Sequence, residues 1–277
     1  MKYRDIPLFG FKLLSKYAAF VYEIKSCEEI SIYKTIPNGK IGLSITTDGT
    51  ASIKRESNWF PIPPTTIYGL TKETQEIKLS KQFGEIAIGF EPCFLQLFIP
   101  ENMSHLTGGK TVDLQNLFDK FEVEKLIELI QSANTDSQLL LAIETFLSKQ
   151  LNLKKTNEKL ITALELITEL SIYEVDEIAN RINVSTSTLR NLFNEYIGVP
   201  PKDFIRITRI NKAMHHQVNS ENNLTDLSYT LGYFDQAHFI HDFKNVLGIS
   251  PKQYFKNTAL TFDFYNFGRW QKDNFAT

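Results

Sequence analysis

The sequence predicts an α+β protein: a β-rich barrel or sandwich with added helices, followed by an all-α region of two helix-turn-helix units joined by a linker helix. Three observations support this prediction. Short strand-like segments fill residues 30–100, helical spacing begins near residue 122, and one helical unit occurs twice near the C-terminus. A chain of 277 residues also exceeds most single cores, which favours two domains.

The β-rich part is predicted from seven short apolar segments. Pro and Gly turn signals at 37–39, 48–49 and 61–64 separate several of them. Many short strands with regular turns indicate a barrel or a sandwich. The segments are SIYKTIP, IGLSITT, TASIKR, TTIYGLT, QEIKLS, GEIAIGFEP and FLQLFIP.

Two helices are predicted next, over residues 122–132 and 136–150. The apolar arcs of both helices are broad, so each helix buries more than one face. One face is expected to pack against the barrel, and a second copy of the chain is an open alternative for the other face. Residues 153–157 (LKKTN) indicate a linker. We therefore expect one domain over 1–152, a second over 153–257 and an aromatic tail over 258–277. The tail either caps its own domain or is exchanged between subunits.

The repeated helical unit is the most informative feature of the chain. In each copy, two apolar residues four positions apart place one stripe on the core side of a helix, and a Gly ends that helix. The opposite face stays polar. Seven residues recur 50 positions later: Leu189, Phe193, Ile197, Gly198, Val199, Pro201 and Lys202 as Phe239, Phe243, Leu247, Gly248, Ile249, Pro251 and Lys252.

The residues before each repeated helix predict helix-turn-helix units at about 174–197 and 224–247. In the first unit, Asn183 suits a left-handed turn and Ser185 suits a helix cap; in the second, Gly232 and Asp235 have these roles. A helix over 201–218 joins the units. The second helix of each unit, the reading helix, is the one that enters the DNA groove in this motif. A linker helix can hold the two reading helices about one duplex turn, roughly 34 Å, apart on DNA.

Polar residues outside the core stripes are the candidate DNA contacts. Arg190 suits guanine and Asn191 suits adenine, because their side chains form bidentate hydrogen bonds with those bases. The net charge is only −2, but residues 181–212 carry six basic and two acidic side chains, the local excess that phosphate binding requires. The candidates are Ser187, Arg190, Asn191 and Asn194 in the first reading helix, Gln236, Ala237, His238, His241 and Lys244 in the second, and Lys202, Arg206 and Arg209 as phosphate contacts.

Residues 232–254, GYFDQAHFIHDFKNVLGISPKQY, closely resemble the C-terminal signature of AraC/XylS-type transcription regulators. The resemblance covers about residues 155–256 and implies DNA binding. Two positions depart from the signature: His241 and Phe255 stand where the family usually has Arg. DNA contacts of the second unit are therefore expected to be weaker or pH-sensitive. The segments 36–39 (IPNG) and 89–92 (GFEP) resemble, more loosely, the cupin-like sensor domains joined to this family.

The residue inventory argues against catalysis and against a cofactor. His105 is the only His before residue 215, so a metal-binding cupin site lacks its usual ligands. Cys27 and Cys93 form no CxxC pair, and their acidic or apolar neighbours do not favour a thiolate. The adjacent His215 and His216 point about 100° apart on a helix and share one ion poorly. We expect neither an enzyme nor a metal.

The function predicted is a bacterial-type, sequence-specific DNA-binding transcription regulator. Its expected partners are double-stranded DNA, an unknown small-molecule effector, RNA polymerase and a second copy of the chain, and no membrane. A cytoplasmic location is expected, since the sequence has no run of eighteen apolar residues and no apolar segment behind a basic start. Two alternatives stay open: an architectural DNA-binding protein, and a small-molecule-binding module whose helical half contacts protein.

Overall fold

The computed structural model describes residues 2–26, 31–108, 110–214 and 222–256. Cys27, His215, His216 and the predicted tail over 258–277 lie outside the described residues. In the described part, ten strands precede the helical C-terminal region. The strands are β1 (Lys2–Asp5), β2 (Ala18–Ser26), β3 (Ser31–Thr35), β4 (Ile41–Asp48), β5 (Ala51–Arg55), β6 (Asn58–Pro61), β7 (Thr65–Tyr68), β8 (Gln75–Leu79), β9 (Phe83–Phe90) and β10 (Thr111–Asp113).

The strands form two antiparallel sheets. One sheet has six strands in the order β1-β2-β9-β4-β7-β10, and the other has four in the order β3-β8-β5-β6. The predicted β-rich sandwich is therefore confirmed. Two predictions within it are wrong or incomplete. The segment FLQLFIP is not a strand, because Pro92 begins a short helix there, and the strands β1, β2, β6 and β10 were not predicted.

The two faces of the six-stranded sheet are buried against different partners. Alternate residues such as Leu43 and Ile88 belong to the large core that also contains the helices after the strands. The intervening residues, such as Tyr22 and Ala87, join Ile53 and Ile77 of the four-stranded sheet in a second core. Burial on both faces explains why β9 reads as an almost continuous apolar run. A glycine makes room inside: a Cβ on Gly42 would lie 2.8 Å from the Tyr68 hydroxyl.

The two helices predicted over 122–132 and 136–150 are found as α3 and α4, whereas α1 and α2 were not predicted. The described ranges of all eleven helices are α1 (Lys12–Tyr17), α2 (Pro92–Leu95), α3 (Lys120–Ser132), α4 (Asp136–Gln150), α5 (Glu158–Thr168), α6 (Val175–Arg181), α7 (Thr186–Tyr196), α8 (Pro201–Met214), α9 (Asn222–Thr230), α10 (Gln236–Leu247) and α11 (Pro251–Lys256). Asp119 caps α3 and Thr135 caps α4, each by accepting a backbone N–H hydrogen bond. The broad apolar arc of α4 buries Leu140, Ile143 and Leu147.

The predicted linker at 153–157 contains a short 3-10 helix at Leu153–Lys155. Asn157 then caps α5 by accepting a hydrogen bond from the backbone N–H of Leu160. From this point to residue 256, every described regular element is an α-helix. Over the described residues, the helices are all too short or too polar to cross a bilayer.

Candidate nucleic-acid interface

The first helix-turn-helix unit consists of α6 and α7. Asn183 adopts φ of 53° between them, as predicted, and lets the chain turn without a glycine. Ser185 accepts a hydrogen bond from the backbone N–H of Thr188 at 3.0 Å, which confirms the predicted cap. Ala179 is 1% exposed, and its small side chain permits the close approach of the two helices. The start of α7 is therefore fixed by local hydrogen bonds.

The second unit consists of α9 and α10 and repeats this construction. Gly232 has φ of 72°, and Asp235 accepts a hydrogen bond from the backbone N–H of His238 at 2.7 Å. Ser228 occupies the position of Ala179 and is fully buried, with its hydroxyl bonded to the Thr225 carbonyl. Gly248 ends α10 in a left-handed conformation, also as predicted. The repeat in sequence is thus a repeat in structure.

The first reading helix, α7, presents a polar face. Leu189 and Phe193 are fully buried on its inner side. Ser187, Arg190 and Asn191 are exposed, and Asn194 is half-buried. The core stripe and the candidate contacts therefore lie on opposite sides of α7, the arrangement that a base-reading helix requires.

The second reading helix, α10, exposes four of its five candidate DNA contacts. Ala237, His238, His241 and Lys244 are exposed. Gln236 is half-buried, and its side-chain oxygen accepts a hydrogen bond from Thr225 at 3.1 Å.

A carboxylate lies between the two histidines of α10. Asp242 Oδ2 is 3.6 Å from His238 Nε2, and Asp242 Oδ1 is 3.7 Å from His241 Nδ1. The Asp242 side chain is only 12% exposed. Positive charge on either histidine would therefore be partly balanced by Asp242 before it met a phosphate.

Arg209 is not on the surface, so its predicted phosphate contact is wrong. The residue is only 9% exposed. Its Nε donates a hydrogen bond to the carbonyl oxygen of Leu231 at 2.7 Å, and its guanidinium lies 3.3 Å from the ring centroid of Tyr233. Burial lowers the pKa of Arg209. Helical spacing placed a basic side chain on the inner side of α8, where it connects the two units.

The remaining basic residues do not form one continuous stripe. Arg206 is paired with Asp203, which also pairs with Lys72 at 2.8 Å. Arg181 is paired with Glu177 at 2.7 Å. Within the part of the chain that the structure describes, Arg190 and Lys202 are exposed and have no acidic partner. Of the six basic residues counted over 181–212, Arg181 and Arg206 are thus paired with acids and Arg209 is buried.

One exposed residue beside α10 was missed from the sequence. Phe234 directly precedes the cap Asp235 and is 88% exposed. The corresponding residue of the first unit, Val184, is half-buried. An apolar side chain at the start of a reading helix can contact a thymine methyl group. The available sequence signal was an aromatic residue directly before the predicted cap Asp235.

Comparison with known families agrees with this construction. Residues 178–257 match the model of a family described as a helix-turn-helix domain, and residues 12–112 match a family described only as a domain of unknown function. The first match spans most of both units and the linker helix between them. Residues 178–257 are an AraC-type helix-turn-helix domain.

Related proteins are named as transcriptional regulators of the helix-turn-helix type. An uncharacterized HTH-type transcriptional regulator of Haemophilus influenzae is 25% identical over 166 residues, which is 60% of this chain and 52% of the relative. The HTH-type transcriptional activator RhaS of Escherichia coli O139:H28 is 31% identical over 117 residues, or 42% of each chain. This chain therefore spans about half, or less, of the length of the relatives it matches.

Solved structures give a looser likeness over a longer part of the chain. A structure of ToxT from Vibrio cholerae has a TM-score of 0.47 and 12% identity, and the match covers 87% of this chain and 97% of ToxT. A regulator from Chromobacterium violaceum with an AraC-type DNA-binding domain is 26% identical with a TM-score of 0.32, over 37% of this chain and 93% of its own.

The AraC-type domain packs directly on the β-rich half. The end of α7 approaches the 3-10 helix Met103–His105 so closely that a Cβ on Gly198 would lie 2.6 Å from the Met103 carbonyl oxygen. Asn211 of α8 donates a hydrogen bond to the Pro37 carbonyl oxygen at 2.9 Å. The backbone N–H of Thr74 donates to the carbonyl oxygen of Val246, in α10, at 3.2 Å. Both units therefore touch the N-terminal half.

The segment around residue 36 contributes a side chain to the core of the second unit. Ile36 is 6% exposed and belongs to the hydrophobic core of the second unit, together with Phe239 and Phe243. Ile36 also lines a cavity between the two sheets, as do Thr71 and Gln75 on either side of Thr74. The cavity wall and the helix-turn-helix core thus share side chains.

Proposed function

We propose that this protein is a sequence-specific DNA-binding transcription regulator, with residues 1–152 as its regulatory domain and 153–257 as its DNA-binding domain. One observation carries the proposal: two capped reading helices, α7 and α10, each expose a polar face opposite a buried stripe. The linker helix α8 joins the two units, and Arg209 connects them further. This is the construction expected of a protein that reads two successive segments of one duplex.

In this proposal, α7 supplies the stronger sequence discrimination. Arg190 and Asn191 are exposed and can form bidentate hydrogen bonds with base edges, while Ser187 and Asn194 flank them. In α10, Ala237, His238 and His241 face the duplex, Gln236 lies at the edge, and Phe234 is added as an apolar contact. Lys202 and Lys244 contact phosphate. Arg206 contributes only if its pair with Asp203 opens.

The N-terminal half is proposed to control DNA binding through a small molecule. Support comes from the cavity between the sheets, whose lining residue Ile36 is part of the core of the second unit. A ligand that displaces this wall acts on the position of α10, because the two share packed side chains. RNA polymerase is a further partner in this proposal.

A homodimer through α3 and α4 is also proposed. Phe121 and Leu129 of α3 and Leu141 of α4 are 68%, 42% and 58% exposed. Apolar side chains exposed on neighbouring helices are the kind of surface on which a second copy packs. This agrees with the broad apolar arcs read from the sequence.

The proposed role is binding without catalysis. Cys93 is buried, and burial raises the pKa of its thiol to about 12, which disfavours the thiolate that nucleophilic catalysis needs. Among the described residues, no group of three His, Cys, Asp or Glu side chains is placed to hold a metal ion. The buried Cys93 thiol therefore argues against a cysteine nucleophile at this position.

Selection of bound duplexes from a random pool with the purified full chain tests the proposed function. We expect a motif with two conserved blocks, one for each unit. Binding that follows only groove shape or salt concentration would instead indicate an architectural DNA-binding protein. A chain that binds no duplex at all would leave a small-molecule-binding module as the better description.

A further inference from the structure

A cavity lies between the two sheets of the N-terminal half. The space inside it that a small molecule can occupy is about 100 Å³. Walls come from β3, β5 and β8 of the four-stranded sheet and from β4, β7 and β9 of the six-stranded sheet. A space of this size suits only a very small organic molecule, since a cavity of about 150 Å³ holds one benzene ring.

Three acidic groups converge inside this cavity from three different strands. Glu85 is on β9, Tyr33 on β3 and Tyr68 on β7, and all three line the space. Burial raises the pKa of Tyr33, and the nearby Glu85 and Tyr68 raise it further. The groups are therefore close enough to disfavour negative charge on one another.

The Glu85 carboxyl group accepts a hydrogen bond from the Ser44 hydroxyl. Within the described residues, no basic side chain forms an ion pair with Glu85. Thr46, the residue directly opposite Glu85 on β4, also lines the cavity but carries no charge. A carboxylate in such a place lacks the countercharge that buried carboxylates usually have.

The other lining residues include both apolar side chains and hydroxyl groups. Ile53, Ile62 and Ile77 are apolar, and Thr35, Thr46 and Thr66 carry hydroxyls. Tyrosine rings beside a carboxylate favour an ammonium group, because both the ring face and the carboxylate attract positive charge. The isoleucines provide a surface for a short hydrocarbon chain.

We propose that this cavity binds a small organic cation, a molecule with a single ammonium group that pairs with Glu85 between Tyr33 and Tyr68 and a short apolar body that lies on Ile53 and Ile77. The proposal deepens the ligand control included in the proposed function and rests on it for its regulatory meaning. The binding itself depends only on the cavity.

The mouth of the cavity restricts the charge of the ligand. Lys40 and Lys110 are among the lining residues. Lys40 is paired with Glu91 at 2.5 Å, whereas Lys110 is exposed. Positive charge at the mouth and a carboxyl group inside favour one ammonium group at the inner end of the ligand over a polyamine.

Saturation-transfer-difference NMR on the full chain tests the proposal with n-butylammonium as the probe and 1-butanol and butyrate as matched probes. At pH 8 we expect n-butylammonium to bind about tenfold more tightly than 1-butanol, the scale of a hydrogen bond to a charged group. Glu85→Gln should remove this preference, and Glu124→Gln, an exposed change on α3, should keep it. Binding should weaken several-fold at pH 6, where Glu85 is mostly protonated.

Equal binding of 1-butanol and n-butylammonium, or a preference that survives Glu85→Gln, would overturn the proposal. If Glu85→Gln does not fold, Thr46→Leu gives a second test, because it fills the cavity beside Glu85 and should abolish probe binding. The outcome is separable from that of the proposed function. If the protein binds no DNA but its probe binding depends on Glu85, only the proposed regulator function is refuted. If it binds a DNA motif but shows no Glu85-dependent probe binding, only the cation site is refuted.

Discussion

The guanidinium of Arg209 stacks on Tyr233 with 3.3 Å between its central carbon and the ring centroid, and this contact joins the linker helix to the second helix-turn-helix unit. Tyr173, which precedes the first unit, lies 5.1 Å away on the same guanidinium. The Arg209 side chain of α8 therefore touches two other segments, one at Tyr173 and one at Leu231 and Tyr233. We infer that it fixes the angle between the two units.

Arg209→Ala should destabilise the protein by about 2 kcal/mol, because it removes a buried cation–π contact and leaves the Leu231 carbonyl without its donor. Urea unfolding of the full chain measures this change. Arg206→Ala, on the same helix but partly exposed, is the control and should cost less. If Arg209→Ala instead keeps its stability and lowers the salt dependence of DNA binding by one phosphate contact, Arg209 faces DNA after all.

Arg190→Ala should lose about 1–3 kcal/mol of binding free energy at one base position, because a bidentate contact with guanine is lost. Its stability should change by less than about 0.5 kcal/mol, since the residue is exposed. Fluorescence anisotropy with single-base variants of a selected duplex measures the loss. Arg181→Ala on α6 is the matched control. Equal weakening on selected and random duplexes would assign Arg190 to phosphate.

Gly232→Val should destabilise the second unit by more than about 1 kcal/mol, because a β-branched residue is strained at φ of 72°. The new Cβ would also lie 3.1 Å from the ring of Tyr173. Gly232→Asn is the control and should cost less, since Asn tolerates the left-handed region. Thermal unfolding decides: a valine variant as stable as the asparagine variant would mean that the turn relaxes.

Stability should fall as the pH rises between about 4.5 and 7. Burial raises the pKa of Glu85 from 4.5 to about 7, so the folded state binds a proton that the unfolded state has released in this window. The contribution of Glu85 should approach a loss of about 1.4 kcal/mol per pH unit. Urea unfolding of the parent and of Glu85→Gln from pH 5 to 8 isolates it. Parallel pH profiles for the two proteins would show that Glu85 is not desolvated.

Local rules predicted the parts of this protein that depend on local chemistry. The turn at Asn183, the caps Ser185 and Asp235 and the glycines 232 and 248 each follow from residues a few positions apart, and each is found as expected. The helices α3 and α4 followed from apolar spacing for the same reason.

Long-range packing accounts for what the sequence did not reveal. The local excess of basic residues over 181–212 led us to expect Arg209 on the surface, because the partners that bury it, Leu231 and Tyr233, lie more than twenty residues away. Ile36 was read as part of a strand end, yet it packs into the core of a unit almost two hundred residues later. The cavity around Glu85 could not be predicted from the sequence for the same reason, because its lining residues come from both sheets.

The most direct test of the account is whether the two units read one duplex as a single rigid body. Anisotropy titrations would compare the selected duplex with versions that carry five or ten additional base pairs between its two blocks. Because five base pairs turn the second block to the opposite face, we expect about a tenfold or greater loss of affinity for that duplex. Two half-site variants, each with one block scrambled, serve as references, and the five-pair duplex should bind no better than the tighter of them. Equal affinity for the parent and the five-pair duplex would contradict the account, since it would mean that only one unit reads DNA or that the units move independently.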